Sequence, residues 1–456
     1  MSDSKVTMEK IVALAKQRGF VYPGSAIYGG LANSWDYGPL GAQMKMNIKQ
    51  DWWKKVVEQR HDMVGIDGAI LMNPRVWEAS GHVETFNDPL VEDKVTHKRY
   101  RADHLIKEVT GQDVDGKPLD ELASIIKEHD IKSPDGNELT APRQFSGMFE
   151  TSAGAAEDGK QVIYLRPETA QAIFVNFKNV VDTSRKRIPF GIAQIGKAFR
   201  NEITPGNFIF RTLEFEQMEV EYFVEEDQAD KAFDEWNDWR RGWGESIGLD
   251  MDRVTFDDHA SEKLSHYSKR TVDVMFNFPF GVEELWGQAY RTDYDLKQHQ
   301  DHSKQNLTFT DPNDNTRKYL PHVIEPSFGV DRTLLAILCS AYHEEEVKGD
   351  TRVVMRFKSH IAPYQIAVLP LSKKEELQVV AKPLFEKLAP MWRVDYDETQ
   401  SIGKRYRRQD EIGTPYCVTV DFDSIEDKAV TIRDRDTMEQ ERVPIAELKT
   451  WFEGKL

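Results

Sequence analysis

The sequence predicts an α+β protein that ends in a separate α/β domain. Strand-forming segments dominate residues 161–223 and 273–296, and apolar helical segments flank them. Beyond about residue 362, short strands alternate with amphipathic helices, which is the pattern of a compact α/β unit. A chain of 456 residues is long enough for two such domains. We therefore expect a first domain over 1–352 and a second over 353–456.

The first domain is predicted to begin with two helices that are joined by a glycine-rich loop. Apolar residues at helical spacing indicate a helix over 6–19, which Gly19 ends, and a longer helix over about 42–60. Between them, YPGSAIYGGLANSWDYGPLG matches neither the GxGxxG fingerprint nor a P-loop, so on its residues alone it is most simply a packed, turn-rich loop. The segment AILMNPRVWEASGH, 69–82, predicts a strand that Pro74 breaks and then a second short element.

The amino-acid composition of the sequence changes over about 88–160. Charged residues become more frequent, and Gly, Asp, Lys and Pro interrupt the segment. We interpret it as an inserted, mostly helical subdomain. After the strands up to 223, residues 226–253 predict a helix whose aromatic stripe is more simply core than a ligand site. Residues 325–342 then predict a strand or turn that leads into an apolar helix.

Composition and charge favour a cytoplasmic enzyme. The formal net charge of −17 argues against a protein that coats nucleic acid nonspecifically, although a local basic surface remains possible. Cys339 and Cys417 are the two cysteines of the sequence, too few for a disulfide framework or a cysteine-based zinc site. The N-terminal residues lack the apolar core of a signal peptide, and no apolar run is long enough to span a bilayer.

One stretch, FRNEITPGNFIFRTLEFEQMEVEYF, combines the pattern of a hairpin with charges of both signs. In the strand up to Phe223, alternation puts Met218, Val220 and Tyr222 on one face, and Phe215, Gln217, Glu219 and Glu221 on the other. An exposed hairpin with cross-strand ion pairs, worth about 0.2–1 kcal/mol each, would explain this stretch alone. However, YLRPETAQ and EPSFGVDR also carry carboxylates and arginines in core-like segments. Because buried charges need partners, the three segments together predict a polar cleft for a ligand that has both phosphates and an amine.

These segments resemble known sequence motifs. FRNE…FRTLEFEQMEVEYF looks like motif 2 of the class II aminoacyl-tRNA synthetases, and EPSFGVDRTLLAIL looks like their motif 3. With LRPETAQ, YGGLANSWDYGPLG, NPRVWEASGH, FNDPLV, RYRADH, ELWGQAYRTDYDL and QSIGKRYRRQDEIGTPYCVTVDFD, the ordered set is similar to the homodimeric type of the glycyl-tRNA synthetases. The similarity covers nearly the whole chain and is weakest over 104–160 and 225–270.

The resemblance implies a fold, a reaction and partners. It implies a six-stranded antiparallel sheet flanked by helices and a C-terminal anticodon-binding domain. It also implies a homodimer that uses ATP with Mg²⁺ to activate glycine and then joins glycine to tRNA-Gly. Some relatives carry a CxxC pair at the positions of Asp93 and Thr96, so we expect no zinc here.

Residue roles follow from the same resemblance. Arg200 would contact the α-phosphate, Arg332 the γ-phosphate region, Phe215 the adenine ring, and Glu284 Mg²⁺. The full set implied for ATP is Arg200, Asn201, Glu202, Phe210, Arg211, Thr212, Leu213, Glu214, Phe215, Glu284, Leu285, Gly329, Val330, Asp331 and Arg332. The set implied for glycine is Arg101, Glu168, Phe215, Glu216, Gln217, Met218, Glu219, Arg291, Glu325, Pro326, Ser327, Phe328 and Gly329. The set implied for tRNA is Lys404, Arg405, Arg407 and Arg408.

Two other functions remain open at this point. One is a noncatalytic, RNA-binding or accessory paralogue with the same fold, although such paralogues usually lose the arginines at the positions of Arg200 and Arg332. The other is a class II synthetase for proline, threonine, serine or histidine, against which the RPET and EPSFG segments argue.

Overall fold

A computed structural model describes residues 6–114, 116–153, 161–203, 206–260, 264–265 and 267–456. The chain starts with α1, whose N-cap Thr7 accepts a hydrogen bond from the Lys10 amide and whose C-cap Gly19 is left-handed, at φ +80°. The elements before the insertion are α1 (Met8–Arg18), β1 (Val21–Pro23), β2 (Trp35–Tyr37), α2 (Pro39–Trp53), β3 (Met63–Gly65), α3 (Arg75–Ala79) and α4 (His82–Thr85). A turn of π-helix, Lys54–Glu58, extends α2.

Within 69–82, the strand predicted before Pro74 is wrong, whereas a short element does follow Pro74. Leu71 forms only an isolated bridge with Leu165, and helices α3 and α4 follow it. Pro74 directly precedes α3, at a position where its missing N–H removes no helical hydrogen bond, and Gly81 at φ +81° separates the two helices.

The insertion is mixed rather than mostly helical. Two helices pack on a three-stranded antiparallel sheet of order β5-β4-β6 and enclose a small apolar cluster that includes Val91, Ile106 and Leu122. The prediction failed because these strands are short and carry many polar and charged residues. The elements are β4 (Asn87–Glu92), β5 (Arg99–Arg101), α5 (Ala102–Thr110), α6 (Leu119–Glu128), β6 (Arg143–Ser146), β7 (Glu150–Ala153) and β8 (Gln161–Tyr164).

The remainder of the first domain forms the central sheet and its helices. These elements are α7 (Ala170–Ser184), β9 (Phe190–Phe199), β10 (Glu214–Val224), α8 (Ala229–Ser246), β11 (Val254–Asp258), β12 (Arg270–Phe278), β13 (Gly281–Thr292), α9 (Tyr294–Ser303), β14 (Phe309–Asp311), β15 (Asp314–Tyr319), β16 (His322–Gly329), α10 (Val330–Ala341), β17 (Tyr342–Val347) and β18 (Asp350–Met355).

Seven strands make the central sheet, in the order β11-β12-β13-β16-β10-β9-β3. Six of them are antiparallel, as expected, and β3 adds a seventh strand parallel to β9 at the edge. In the register, Glu219 lies opposite Ser327, and Ser327 lies opposite Gly287 on the next strand. Three neighbouring strands therefore bring their side chains to the same region of one face.

Both faces of β10 are buried. Met218, Val220 and Tyr222 belong to the large apolar core that includes side chains of α2, α8 and α10. On the opposite face, Phe223 packs with side chains of α7 and α9. Gln217, Glu219 and Glu221 lie on this second face, so the fold buries them as well.

The C-terminal residues form a five-stranded sheet of order β20-β19-β21-β22-β23, with helices. Its elements are β19 (Ile366–Pro370), α11 (Glu375–Leu388), β20 (Val394–Tyr396), α12 (Ile402–Ile412), β21 (Tyr416–Val420), α13 (Asp423–Asp427), β22 (Ala429–Asp434), β23 (Gln440–Pro444) and α14 (Leu448–Glu453). In the ranges described, no helix combines the length and the apolarity that crossing a bilayer would require.

The predicted boundary at 352/353 falls inside β18. The Arg352 side chain is fully buried, and its Nε donates to Asp410 of α12 at 2.8 Å. Arg433 of β22 donates to the same carboxylate, at 2.8 and 3.1 Å. Buried ion pairs through Asp410 thus connect β18 to α12 and β22 of the C-terminal domain.

Candidate active site

A cavity of about 400 Å³ opens on the face of the central sheet that bears Glu219. It has the size and the mixed polarity of a small-ligand site. Residues predicted from the sequence that line it are Glu168, Arg200, Glu202, Phe210, Arg211, Thr212, Phe215, Gln217, Glu219, Glu284, Leu285, Arg291, Glu325, Ser327, Gly329, Asp331 and Arg332.

Glu219 forms the centre of the acidic end of the cavity. Its carboxylate accepts hydrogen bonds from the hydroxyl of Thr169, from Ser327 Oγ at 2.8 Å and from Gln217 Nε2 at 3.4 Å. Burial, and then the neighbouring charge of Glu168, raises the pKa of Glu219. Within the described ranges, neutral donors thus hold this carboxylate in place and no cation forms an ion pair with it.

Arg291 provides the buried positive charge at this end. It donates to Asp295 through Nε at 2.7 Å and Nη2 at 2.9 Å, and Nη1 lies 3.0 and 2.9 Å from the two oxygens of Glu325. Its guanidinium also lies over the ring of Tyr267, 4.1 Å from the centroid. Burial and Glu219 oppose the ionisation of Glu325 by raising its pKa, while the direct contact with Arg291 favours the charged form.

Glu168 closes the acidic end from the start of α7. Its carboxylate lies 3.4 Å from His82 Nε2 and accepts a hydrogen bond from Gln171 at 3.0 Å. Burial favours the neutral acid, but His82, Arg291 and Gln171 outweigh it and hold the pKa of Glu168 well below its usual value. Glu168 is therefore an ionised group at neutral pH.

Arg200 lies at the other end of the cavity, directly after β9. Its Nε donates to the carbonyl of Pro167 at 3.1 Å, and its guanidinium lies 5.5 Å from the Phe86 ring centroid and 5.4 Å from that of Phe215. Within the described ranges, no carboxylate lies within ion-pair distance of Arg200. The donors of its two Nη atoms are thus available to an anion.

Arg332 is fixed above the ring of Phe210, 4.4 Å from its centroid. Its Nη1 donates to the Glu284 carbonyl at 2.9 Å and lies 3.3 Å from the Glu284 carboxylate. Arg211, in contrast, lies 3.9 Å from Glu202, which is a loose ion pair at the cavity wall. Cationic groups therefore cluster at the end of the cavity away from Glu219.

Asp331 connects α10, on which it lies, to β10 and α2. Its carboxylate accepts hydrogen bonds from the hydroxyl of Tyr37, from Lys45 Nζ at 2.8 Å and from the Glu216 amide at 2.8 Å. Lys45 also pairs with Glu216 at 2.9 Å. The glycine-rich segment, which contains Tyr37, therefore helps to support this site.

The structure places several predicted residues away from the cavity wall. Strand alternation explains one group, because side chains two positions apart on β10 and β16 share a face. Met218, Phe328 and Val330 lie in the large apolar core, while Glu216 pairs with Lys45 and Lys49. Residues of this group outside the wall are Glu216, Met218, Pro326 and Phe328; Val330, the first residue of α10, also lies outside it.

Three further predicted residues act through the backbone or on the surface. The backbone N–H of Asn201 donates to the carbonyl of Gly147 at 2.8 Å, and the backbone N–H of Leu213 donates to the carbonyl of Asn33 at 3.1 Å. Glu214 is half-exposed and pairs with a lysine on β9. None of these three side chains belongs to the cavity wall.

Arg101 also lies outside the cavity wall. It belongs to β5 of the insertion, and it pairs with Asp88 at 2.9 Å and Asp103 at 2.6 Å. These contacts place its guanidinium in the inserted subdomain instead of beside Glu219.

The basic residues of α12 divide between surface and interior. Lys404, Arg407 and Arg408 share one helix face and line a cleft together with Arg18 of α1. Arg405 needs a correction: it is fully buried, and its guanidinium donates to the carbonyls of Pro370, Leu371 and Asp397. Its side chain is therefore a structural element of the C-terminal fold.

Sequence reasoning missed a carboxylate–histidine pair at the nucleotide end. Asp273 and His259 line the cavity, with 2.8 Å between Oδ2 and Nε2. Burial, and then Glu284, raises the pKa of Asp273 to about 6. No local motif marks either residue, because strand pairing across β11, β12 and β13 brings them to the site.

Comparisons with known proteins agree with this geometry. The tRNA synthetase class II core domain (G, H, P, S and T) matches residues 149–341, and the anticodon binding domain matches residues 365–455. The glycine–tRNA ligase of Acetivibrio thermocellus is 58% identical over 459 residues, which cover 99% of both chains. The chain belongs to the glycine–tRNA ligase family. The glycine–tRNA ligase of Bacillus cereus is 55% identical over 457 residues, again covering 99% of both chains.

A solved structure shows the same fold at low sequence identity. The prolyl-tRNA synthetase of Cryptosporidium parvum, complexed with L-proline and AMP, matches with a TM-score of 0.61 and 13% identity. The match covers 97% of this chain and 76% of that one. The class II architecture of this glycine–tRNA ligase family member thus extends over both of its domains.

Proposed function

We propose that this cavity is where the chain activates glycine with ATP, before the glycyl group passes to tRNA. The observation that supports this proposal is the division of charge along one cavity. Arg200 and Arg332 present cations at one end, and Glu168, Glu219 and Glu325 present carboxylates at the other. ATP requires the first arrangement and the ammonium group of glycine requires the second.

At the cationic end, Arg200 would bind the α-phosphate. Its guanidinium is held by the carbonyl of Pro167 and by two aromatic rings, so little rearrangement is needed when the phosphate arrives. Adenine would stack on Phe215, which shares the cavity wall with Arg200, and Arg332 would contact the outer phosphates. Catalysis then consists of positioning the glycine carboxylate in line with the α-phosphate while pyrophosphate leaves.

At the acidic end, the ammonium of glycine would lie among Glu219, Glu325 and Ser327. These side chains and Arg291 also occupy the space that a larger amino acid would need for its side chain. Rejecting a larger substrate by steric exclusion is easier than rejecting a smaller one, where a methylene is worth about 1–3 kcal/mol. The buried carboxylates thereby contribute to both affinity and selection.

Residues at the nucleotide end fit Mg²⁺. A Cβ added to Gly287 would lie 3.5 Å from Asp273 Oδ1 and 3.8 Å from Glu284 Oε1, so two carboxylates converge on the same backbone position. Carboxylate and phosphate oxygens are the ligands that Mg²⁺ prefers. Bound there, Mg²⁺ would neutralise phosphate charge, with Glu284 and Asp273 as its protein ligands.

For the second step, we propose that Lys404 and Arg407 of α12 contact tRNA phosphates. Both line the surface cleft at the start of this helix, where local positive charge opposes the overall negative charge of the chain. The substrate would be tRNA-Gly, whose terminal hydroxyl attacks the glycyl-adenylate.

We further propose that the chain forms a homodimer in the cytoplasm. Ile27, Tyr28 and Leu31 in the glycine-rich loop expose 88%, 87% and 63% of their surfaces, which suits an apolar contact. Sedimentation equilibrium tests this assembly, and a monomer at micromolar concentration would contradict it.

The experiment that tests the proposed function is pyrophosphate–ATP exchange, measured separately with each of the twenty amino acids. Glycine-dependent exchange is expected. Exchange with another amino acid instead would contradict the specificity, and no exchange from well-folded protein would support a noncatalytic role. No observation of the structure favours that role, because Arg200 and Arg332 both line the cavity.

A further inference from the structure

Glu221 is a buried carboxyl group for which neither the motifs nor the proposed mechanism has a role. It lies on β10 two residues after Glu219, on the same face, and its side chain is fully buried. Among the residues that the structure describes, neither of its carboxyl oxygens has a hydrogen-bond partner. Carboxylate oxygens of Glu219, Glu221 and Glu325 all lie within 4.8 Å of one another. Glu221 therefore lies directly beneath the acidic end of the cavity.

Among the residues that the structure describes, no cation is left to pair with Glu221. Arg291 of β13 already makes two bonds to Asp295 of α9 and two contacts with Glu325 of β16. Glu219 is negative on the same strand, and β9 places Ile192, which is uncharged, opposite Glu221. An ionised and unpaired carboxylate in this position would be very costly.

The protonation of Glu221 follows from this arrangement. Burial, and then the charge of Glu325, raises its pKa well above the ordinary value, and Arg291 compensates only in part. The charges of Glu219 and Asp295 act in the same direction as Glu325. A protonated carboxyl group needs an acceptor for its O–H, and the carboxylates of Glu219 and Glu325, with oxygens within 4.8 Å, are the two candidates.

Glu325 is the better acceptor of the two. Glu219 already accepts hydrogen bonds from Thr169, Ser327 and Gln217. Glu325 accepts only from Arg291 among the described residues, so each of its oxygens retains a free lone pair.

We propose that Glu221 is a neutral positioning residue that donates its carboxyl proton in a hydrogen bond to Glu325 and so fixes Glu325 for the glycine ammonium. This inference rests on the proposed placement of glycine beside Glu325. It also explains how Glu168, Glu219, Glu221 and Glu325 are accommodated around Arg291 at the acidic end: Glu221 adds a donor there without adding a negative charge.

Two substitutions separate the donor from the charge. Glu221→Gln keeps a neutral donor of similar shape, and Glu221→Leu removes the donor but keeps the volume. In glycine-dependent pyrophosphate–ATP exchange, Glu221→Leu is expected to raise KM for glycine by about 10-fold to 100-fold, while KM for ATP changes by less than about 2-fold. Glu221→Gln is expected to change KM for glycine by less than about 3-fold.

The pH profile adds a measurement that a purely structural role would not alter. As the pH is raised into the alkaline range, wild type is expected to lose glycine affinity more steeply than Glu221→Gln, because only wild type can ionise at this position. Should Glu221→Leu fail to fold in a thermal melt, this comparison of wild type with Glu221→Gln decides the question. Parallel profiles would overturn the proposal, as would a Gln variant that is as weak for glycine as the Leu variant.

A third variant distinguishes failure of this inference from failure of the proposed site. Glu325→Gln should raise KM for glycine if glycine binds here. If it does not, the placement of glycine is wrong. If Glu325→Gln raises KM but a folded Glu221→Leu leaves it unchanged, only the role of Glu221 is wrong.

Discussion

Arg200→Ala is expected to abolish adenylate formation with little effect on tRNA binding. In the structure, Nε of Arg200 is used by the carbonyl of Pro167, so the Nη donors remain for the α-phosphate. A planar guanidinium can give two parallel bonds to phosphate oxygens, and each preorganised donor of this kind is worth about 10²-fold to 10³-fold in kcat. We therefore expect a loss of about 10³-fold to 10⁵-fold, or about 4–7 kcal/mol of transition-state stabilisation.

Arg200→Lys separates the charge from the geometry. The lysine keeps a cation between the rings of Phe86 and Phe215 but lacks the planar fork, so we expect a loss of about 10²-fold. Lys197→Ala is a matched control on the same strand, because that lysine is 40% exposed, pairs with Glu214 and does not line the cavity. Its kcat should change by less than about 2-fold.

The assay is pyrophosphate–ATP exchange at saturating glycine, with tRNA affinity measured in parallel by filter binding. If Arg200→Ala lowers the exchange rate and the tRNA affinity by the same factor, Arg200 stabilises the fold and does not bind the α-phosphate. If it exchanges pyrophosphate within about 10-fold of wild type, the phosphate end of the cavity has been misplaced.

Three further changes test other parts of the structure. Asp410→Ala leaves the buried Arg352 and Arg433 without their shared carboxylate, and we expect urea unfolding to show a loss of about 3–5 kcal/mol; a loss below 1 kcal/mol would contradict this. Burial lowers the pKa of His299 to about 4 in the folded state, so the unfolded chain takes up the proton first and stability falls as pH drops below about 6.5. By pH 5 this lowers the free energy of unfolding by roughly 2 kcal/mol. His299→Gln should not show this loss in urea unfolding measured at the same pH values. Equal acid sensitivity of wild type and variant would refute the prediction. Asp93→Ala removes the acceptor for two backbone amides and two side chains in the insertion, so limited proteolysis should cut there faster than in wild type, and an unchanged rate would count against that role.

The sequence identified the central strands and the cavity residues on them because period-two alternation and charge coincide there. Gln217 and Glu219 face the cavity, while Met218 faces the core, as the alternation alone predicts. What alternation did not predict was the burial of Glu221, since a polar face was expected to meet ligand or solvent. Helices α7 and α9 cover that part of the sheet, and their position depends on tertiary packing.

Two other features of the structure were not predicted from the sequence. Arg405 reads as part of a basic surface helix, yet it is the one position of GKRYRRQ that faces three backbone carbonyls of the interior. Asp273 and His259 carry no motif and meet the site only through pairing between strands. Contacts set by strand order cannot be deduced from spacing along the chain.

The register of three strands explains why the two ends of the cavity remain distinct. Along β10, Phe215 and Glu219 share a face and are four residues apart, which is about 13 Å in an extended strand. That separation is consistent with the proposed placement of the adenine at Phe215 and the glycine amine at Glu219. Because Glu219 pairs with Ser327, a slip of one residue would replace the whole acidic face with Met218 and Val220. In the proposed site, selectivity for a small, amine-bearing substrate would therefore depend on strand pairing as much as on the identity of the carboxylates.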